Sequence, residues 1–167
     1  MSISKLNEEV LNNRVQFYKD RQKEIASGKK NSIPFQSFKR LNSLIPGIIP
    51  GIMYKVTSHS GVGKTQISKS VFVYDTIEYA IKYNLQFTIM YVCMEESKEE
   101  FIDSLYIHLL GTKLNVKLSR FKLEGYVDTP LTDLELKSIA EITDLVAKYL
   151  SYIEIIEEAA VNVLKKK

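Results

Sequence analysis

The chain has 167 residues and a net charge of +3, with 45% apolar and 26% charged residues. This balance is typical of a globular domain and excludes a disordered chain, and so small a charge does not by itself indicate nucleic-acid binding. A single cysteine, Cys93, excludes a disulfide framework and fits a reducing compartment. Neither a signal peptide nor an apolar stretch of membrane-spanning length is visible. We therefore expect a cytoplasmic protein.

The chain begins with a region that predicts a charged helix over residues 4–27. Its patchy apolar stripe includes Leu6, Val10, Phe17 and Ile25. Gly28 is the predicted C-cap, and a short linker follows it. We interpret residues 1–30 as an N-terminal helical arm and residues 31–167 as the main domain. Because an isolated helix is marginal in water, the arm either docks on its own core or on a neighbouring subunit, or it remains a solvated arm.

A lead-in interrupted by Pro34, Pro46, Gly47, Pro50 and Gly51 covers residues 32–52, and a short helical turn is expected around residues 38–44. A strand is predicted over Met53–Ser58. A glycine-rich turn follows it, and then a helix is predicted from Thr65 to about Asn84. The predicted stripe of that helix, at helical spacing, contains Ile67, Val71, Tyr74, Ile77, Glu78 and Ile81.

The turn itself reads V-T-S-H-S-G-V-G-K-T and is typical of a phosphate-binding loop. Gly61 and Gly63 allow backbone conformations that aim N–H groups at an anion, Lys64 adds a charge for phosphate oxygens, and Thr65 offers a hydroxyl to Mg²⁺. Ser58 replaces the first glycine of the pattern. The alternative is an ordinary Gly/Ser-rich turn. The predicted nucleotide-binding residues are Ser58, His59, Ser60, Gly61, Val62, Gly63, Lys64, Thr65 and Gln66.

The remaining pattern alternates strands with helices. Residues 86–94 predict a strand buried on both faces, and two capping boxes, Ser97–Glu100 and Thr132–Glu135, each predict a helix start. The first of these helices is expected to end at Gly111, and the second at about Lys148. A basic loop over 112–131, a third strand over 149–156 and a last helix over 157–167 complete the series. This order predicts an α/β fold with a parallel sheet and flanking helices.

Glu95 and Glu96 follow the strand predicted over residues 86–94. Ligands of open α/β sheets bind at the carboxyl ends of the strands, so a carboxylate here could polarise a water for attack on a phosphate. The alternative is that both acids only favour the first turn of the next helix through its dipole.

The pattern V-T-S-x-S-G-x-G-K-T, with M-E-E-S about thirty residues later, resembles the RecA-type motor of ring-shaped replicative DNA helicases. It is similar to phage primase-helicases, to the mitochondrial Twinkle helicase and to bacterial DnaB-type helicases, which carry S-L-E-M at the second site. The lead-in Phe35–Asn42 and the stretch Leu131–Ile156 also resemble this family, so the similarity covers roughly residues 32–160.

This resemblance implies a RecA-like P-loop NTPase domain that binds ATP with Mg²⁺ and, in the full-length protein, moves along single-stranded DNA during DNA replication. Cys93-Met94-Glu95 aligns with S-L-E, so the resemblance makes Glu95 catalytic together with Lys64, and Thr65 the metal ligand. It also implies a homo-oligomeric ring and, if the gene belongs to a phage, the host cytoplasm.

The chain departs from the family pattern in two places. The family often has an Arg in the helix after the second motif, whereas the helix here has Ser104 nearest that place and no Arg over residues 101–110. The family's metal-binding Asp, DNA-binding loops and arginine finger lie beyond the third strand. We therefore expect an incomplete motor domain that alone is a weak ATPase and no helicase. Glu154 and Glu157 are alternative candidates for the metal-binding acid.

Two other functions remain open on the sequence. One is a catalytically inactive relic that keeps the loop and acts as a binding or scaffold protein, which exposed sheet edges would favour. The other is a small kinase-like P-loop enzyme. Such an enzyme needs clustered arginines in a lid, but the arginines of this chain are scattered: Arg14, Arg21, Arg40 and Arg120.

Overall fold

The computed structural model describes residues 3–27, 32–93 and 96–157, with side chains from residue 9 onward. More than half of the chain is helical, and the two strands of the described part form one small parallel sheet. The chain divides into two compact units, Met1–Tyr83 and Asn84–Lys167. The arm boundary expected near residue 30 and the C-cap predicted at Gly28 fall on residues outside the described part.

The first unit opens with helix α1, Ile3–Ala26, in the place that the sequence predicts. A single 3₁₀ turn, Leu41–Ser43, lies within the range expected for a short helical turn. The lead-in around it closes on itself, because Ile33 and Ile48 exchange two backbone hydrogen bonds of 2.9 and 2.8 Å. The Asn42 side chain bonds both the N–H and the carbonyl of Phe35, whose ring is buried.

The strand predicted over Met53–Ser58 is not formed. Residues 52–59 have no regular secondary structure, and Met53 is 89% exposed. A strand exists only through hydrogen bonds to a neighbouring strand, and within the described residues no segment pairs with this one. The apolar pattern of the segment was therefore a poor guide, because periodicity reports which residues could be buried and not whether a partner strand is present.

A helical region over 64–83 follows the glycine-rich turn, as predicted, but it is not a uniform α-helix. It consists of α2, Lys64–Ser68, a π-helical segment, Lys69–Tyr74, and α3, Asp75–Tyr83. The wider π turn carries an extra residue, and Val73, outside the predicted stripe, is buried beside Val71, Tyr74 and Ile77. Ile67, which the sequence places on the buried stripe, is exposed.

The second unit contains the sheet. Strand β1, Ile89–Cys93, pairs in parallel with β2, Ile153–Glu157, and Cys93 lies opposite Glu157. The parallel pairing confirms the predicted α/β character at this level. The strand predicted over 149–156 begins later than expected, because the preceding helix continues to Leu150. The helix predicted over 157–167 lies outside the described residues except for Glu157, which ends β2.

Both predicted capping boxes are present. Ser97 caps α4, Lys98–Lys113, and Thr132 caps α6, Asp133–Leu150, each with its N3 glutamate bonded back to the cap. The helix end predicted at Gly111 is wrong, because α4 runs through this glycine, and the chain turns only at Asn115, which has a left-handed φ of 55°. The loop predicted over 112–131 contains a short helix, α5, Arg120–Leu123.

Helices α4 and α6 pack against each other and form the core of the second unit. The side chains that are almost fully buried there are Phe101, Leu105, Leu109, Leu110, Ile142, Val146 and Tyr149. They recur at spacings of three and four residues, so one face of each helix is apolar. Leu136, which the sequence placed on the same side of α6, is half exposed.

Candidate functional site

The glycine-rich turn adopts the backbone conformation that its sequence predicts. Gly61 has φ 78° and Gly63 has φ 87°, and Gly63 is the N-cap of α2. These angles lie in the left-handed region, which costs a residue with a Cβ roughly 1–2 kcal/mol. A Cβ at either position would meet no atom within 4 Å. Glycine is therefore needed here for backbone conformation, and space is left above the turn.

Lys64 folds back over this turn. Its ammonium group donates to the carbonyl of Ser58 at 3.2 Å and to that of His59 at 2.9 Å. Both acceptors are neutral carbonyl oxygens, whereas a phosphate oxygen carries negative charge and attracts the ammonium group more strongly. A phosphate oxygen could therefore replace these carbonyls at a gain in free energy. The ammonium is already held over the loop, which reduces the entropy lost when it binds an anion.

The backbone donors of the turn are also available. Among the described residues, no hydrogen bond uses the N–H groups of residues 60–66. The first N–H groups of a helix have no partner inside the helix, and they present partial positive charge to an anion. Thr65 and Gln66 are exposed. The turn thus combines backbone N–H donors, one ammonium group and the Thr65 hydroxyl, a set of groups that fits a polyphosphate with a hard cation.

Residues that the sequence did not single out hold the turn in place. The Tyr54 hydroxyl donates to the Gly47 carbonyl at 2.8 Å and accepts from the Ile49 N–H at 3.0 Å. The Tyr54 ring contacts Phe72 of the π segment, with centroids 5.7 Å apart. This contact anchors the chain just before the turn to the helix just after it. A tyrosine inside an apolar run gives no sequence signal for such a role.

A second anchor joins the lead-in to α3. The buried carboxylate of Asp75 accepts from the Ser37 N–H at 2.7 Å and from the Ser37 hydroxyl at 2.5 Å. The two residues are 38 positions apart in the chain, so no local pattern predicts the pair. A buried carboxylate must be hydrogen-bonded to avoid a large desolvation penalty, and these two bonds satisfy it.

The acids after β1 belong to the second unit. Glu95, the predicted catalytic acid, and Met94 lie outside the described residues. The carboxylate of Glu96 accepts from the Tyr91 hydroxyl at 2.6 Å, just before the Ser97 cap of α4. At the end of β2, Glu157 accepts from the Lys98 N–H at 3.1 Å. Glu96 and Glu157 therefore have structural contacts, and Glu154 is exposed on β2.

Charged side chains bind α5 to the two long helices of this unit. Arg120 pairs with Glu124 at 2.6 Å and also with Glu100, and Lys122 pairs with Glu135 at 2.7 Å. The Lys122 ammonium, helped by the Thr132 backbone, lowers the pKa of Glu135 to about 2. The Ser97 backbone N–H, followed by Arg120, lowers the pKa of Glu100. Burial, followed by the charge of Glu124, raises the pKa of Asp103.

The described residues contain no group of three or more His, Cys, Asp or Glu side chains that could hold a metal ion by themselves. A cation at the glycine-rich turn would therefore depend on Thr65 and on oxygens of a bound phosphate. In the same part of the chain, no helix is long and apolar enough to cross a membrane.

Comparison with protein-family models, with curated proteins and with solved structures finds no match for this chain. The functional argument therefore rests on the residues and geometry described above.

Proposed function

We propose that the chain is the ATP-binding part of a replicative DNA helicase motor, in which ATP hydrolysis drives movement along single-stranded DNA in the full-length protein. The observation that carries the proposal is the turn Ser58–Thr65. Its two left-handed glycines and the Lys64 ammonium held over the backbone support a phosphate-binding role for this turn, and they do so without the preceding strand that the sequence pattern predicts. The helicase assignment itself rests on the resemblance of this loop and of the M-E-E-S segment to the RecA-type motors.

The residues of the loop divide the binding of a nucleotide between them. The backbone N–H groups of residues 60–66 and the Lys64 ammonium bind phosphate oxygens, and the Thr65 hydroxyl is the ligand offered to Mg²⁺. Bound ATP with Mg²⁺ supplies a terminal phosphoryl group that water can attack. Phosphoryl transfer requires mainly positioning and charge stabilisation from the protein, and the loop provides both through groups that its fold already orients.

Glu95 is the residue proposed to orient the attacking water and accept its proton. The contact between Glu96 and Tyr91 supports this choice over its neighbour, because that carboxylate already accepts a short hydrogen bond of 2.6 Å.

Nucleotide binding is tested by titrating the chain with ATP and Mg²⁺ and measuring the heat of binding by calorimetry. We expect Lys64→Ala to weaken binding about tenfold to a hundredfold, because a charge-assisted contact is worth roughly 1.5–3 kcal/mol. Lys55→Ala is the matched control, since Lys55 is an exposed lysine just before the loop. Equal affinity of the wild type and Lys64→Ala would contradict the site, and absence of any ATP binding would favour the scaffold alternative.

Measurement of ATP hydrolysis distinguishes the proposed role of Glu95 from that of Glu96. In a context that supplies the rest of the motor, Glu95→Gln should abolish turnover while ATP still binds, and Glu96→Gln should have a milder effect. Loss of hydrolysis in Glu96→Gln alone would show that the assignment of the catalytic acid is shifted by one residue. By itself, the chain is expected to hydrolyse ATP slowly and not to unwind DNA, and ATP-dependent strand separation by the purified chain would contradict this expectation.

A further inference from the structure

Helix α1 presents a regular apolar seam to solvent. Leu11, Val15, Tyr18, Gln22 and Ile25 follow each other at alternating spacings of four and three residues, which is the a/d spacing of a helix that packs along another helix. The four apolar members are 50–65% exposed. Among the described residues, an open groove on this seam is lined by Val15, Tyr18, Lys19, Gln22 and Lys23. The apolar side chains of the seam are thus open to contact by another molecule.

Basic side chains lie on both flanks of the seam, two on one flank and one on the other. The flanking positions, e and g of the heptad, hold Asn12, Arg14, Lys19, Arg21 and Ala26, and no acid is among them. The guanidinium groups of Arg14 and Arg21, both at g positions, lie 5.7 and 5.8 Å from the ring of Phe17 at the neighbouring c position. Arg21 also pairs with Glu24 at 3.2 Å. Flanking charges decide which helix can pair with a seam.

A second copy of α1 does not suit this seam. In parallel pairing, Arg14 of one helix would face Lys19 of the other, and in antiparallel pairing each flank would face its own equivalent. Either arrangement brings basic groups together, which costs free energy. Glu9, Asp20 and Glu24 lie outside the seam and its flanks, and Asp20 contacts Gln16 at 2.9 Å and Lys23 at 3.5 Å.

A membrane surface and a nucleic acid fit the helix less well. Interfacial helices carry mainly Lys and Arg on a polar face opposite a strongly apolar one, whereas the outer face here mixes Glu9 and Asp20 with Lys23. Phosphate binding requires cations but no apolar seam between them. The seam and its flanks together match a protein helix.

We propose that α1 is a docking site for an amphipathic helix of a partner protein whose apolar seam is flanked by Glu and Asp. The partner's seam fills the groove over Val15, Tyr18 and Gln22, and its acids pair with Arg14, Lys19 and Arg21. About two heptads of contact, shorter than a stable coiled coil, give a reversible interaction. This inference concerns α1 alone and does not depend on nucleotide binding at the loop.

The probe is a synthetic helix of about four heptads with Leu at a and d and Glu at e and g. The matched probe carries Lys at e and g. Binding of each to the full chain is followed by fluorescence anisotropy at low and at high salt. We expect the Glu probe to bind at least about tenfold more tightly than the Lys probe, and we expect this preference to shrink as salt screens the charges. Equal binding of both probes would overturn the proposal.

Two sets of variants locate the interaction. Replacement of Val15 and Tyr18 by Ser should weaken binding of the Glu probe at least about tenfold, because it removes two apolar side chains from the seam. Replacement of Asn13 and Gln16 by Ser, on the outer side of the same helix, should leave binding unchanged and controls for helix propensity. Circular dichroism verifies that both double variants retain their helical content.

Charge reversal gives the most specific result. The variant with Arg14→Glu and Arg21→Glu should prefer the Lys probe, because the flank nearest these residues changes sign. Two further experiments test whether something other than a partner helix binds the seam. Sedimentation of the chain alone detects self-association, and competition with a single-stranded oligonucleotide or with anionic vesicles detects binding of nucleic acid or membrane. Self-association that Val15→Ser and Tyr18→Ser abolish, or displacement of the Glu probe by oligonucleotide or vesicles, would overturn the proposal.

Discussion

The glycine-rich turn, residues 58–65, and the charged connection between α4 and α6, residues 114–132, differ in how their polar groups are used. In the connection, both helix starts are capped, and Arg120 and Lys122 are paired with glutamates. In the turn, the N–H groups of residues 60–66 have no acceptor among the described residues, and Lys64 bonds only neutral carbonyls. Groups that stabilise a fold are satisfied within it, whereas groups that bind a ligand are left available at some cost in stability.

The largest loss of stability is expected from a substitution in the core between α4 and α6. Phe101→Ala removes a ring with 0% exposure and should lower the free energy of unfolding by about 3–5 kcal/mol, from lost burial and a residual cavity. Urea denaturation measures the loss. Phe121→Ala is the matched control, because that ring is 65% exposed, and a similar loss in the control would contradict the assigned core.

Two glycines of the first unit sharpen the comparison between a structural and a binding role. A Cβ at Gly47 would lie 2.1 Å from the Ile33 carbonyl oxygen, whereas a Cβ at Gly61 would meet no atom. Both have a left-handed φ. We expect Gly47→Ala to break the Ile33–Ile48 bridge and cost more than Gly61→Ala, for which strain alone gives about 1–2 kcal/mol.

Thermal unfolding compares the stability of these two variants, and titration with ATP compares their affinity for nucleotide. Gly61→Ala should weaken nucleotide binding more than its modest loss of stability explains, because it changes the backbone that aims the N–H donors. If Gly47→Ala were as stable as the wild type, the close approach between Gly47 and Ile33 in the lead-in would be wrong.

A smaller effect is expected from the helix caps. Thr132→Ala removes the side chain that accepts from the Glu135 N–H and should cost about 1 kcal/mol. Thr132→Ser is expected to retain the cap. Thr112→Ala is the control. Thr112 is an exposed threonine in the last turn of α4, and its hydroxyl donates to the His108 carbonyl. Chemical denaturation measures the stability of the three variants. Equal stability of Thr132→Ala and Thr132→Ser would contradict the role of Thr132 as a helix cap.

The smallest effect is the dependence of stability on acid. The pKa of Glu135 is about 2 in the folded chain, against an ordinary value of 4.5. Its ionised form therefore stabilises the fold above about pH 4.5, and this contribution disappears as pH falls toward 2. The lowered pKa of Glu100 acts in the same direction, and the raised pKa of Asp103 acts in the opposite one, so that stability decreases as Asp103 ionises.

Glu135→Gln should therefore flatten the decrease of the unfolding midpoint between pH 4.5 and pH 2 and have little influence on its shape above pH 6. Denaturation at a series of pH values measures it. Glu141→Gln, on an exposed residue of the same helix, is the control. An unchanged acid profile in Glu135→Gln would show that its pairing with Lys122 does not contribute to stability.

The sequence by itself determined the features that depend on near neighbours in the chain. Both capping boxes, the helices they start and the left-handed glycines of the turn follow from residues within four positions of each other. These parts of the fold and of the candidate site could be predicted for this reason. The alternation of strand and helix patterns predicted a parallel sheet, but the pairing of β1 with β2 joins residues 64 positions apart and depends on the tertiary structure.

Only the tertiary structure decided the features that require a distant partner. The segment 53–58 has the composition of a strand but no strand beside it among the described residues, and Ile67 and Leu136 have the spacing of core residues but remain exposed. The anchors of the turn, Tyr54 on Gly47 and Asp75 on Ser37, join residues 7 and 38 positions apart. Local pattern cannot predict them, because the free energy of such contacts depends on which surfaces the folded chain brings together.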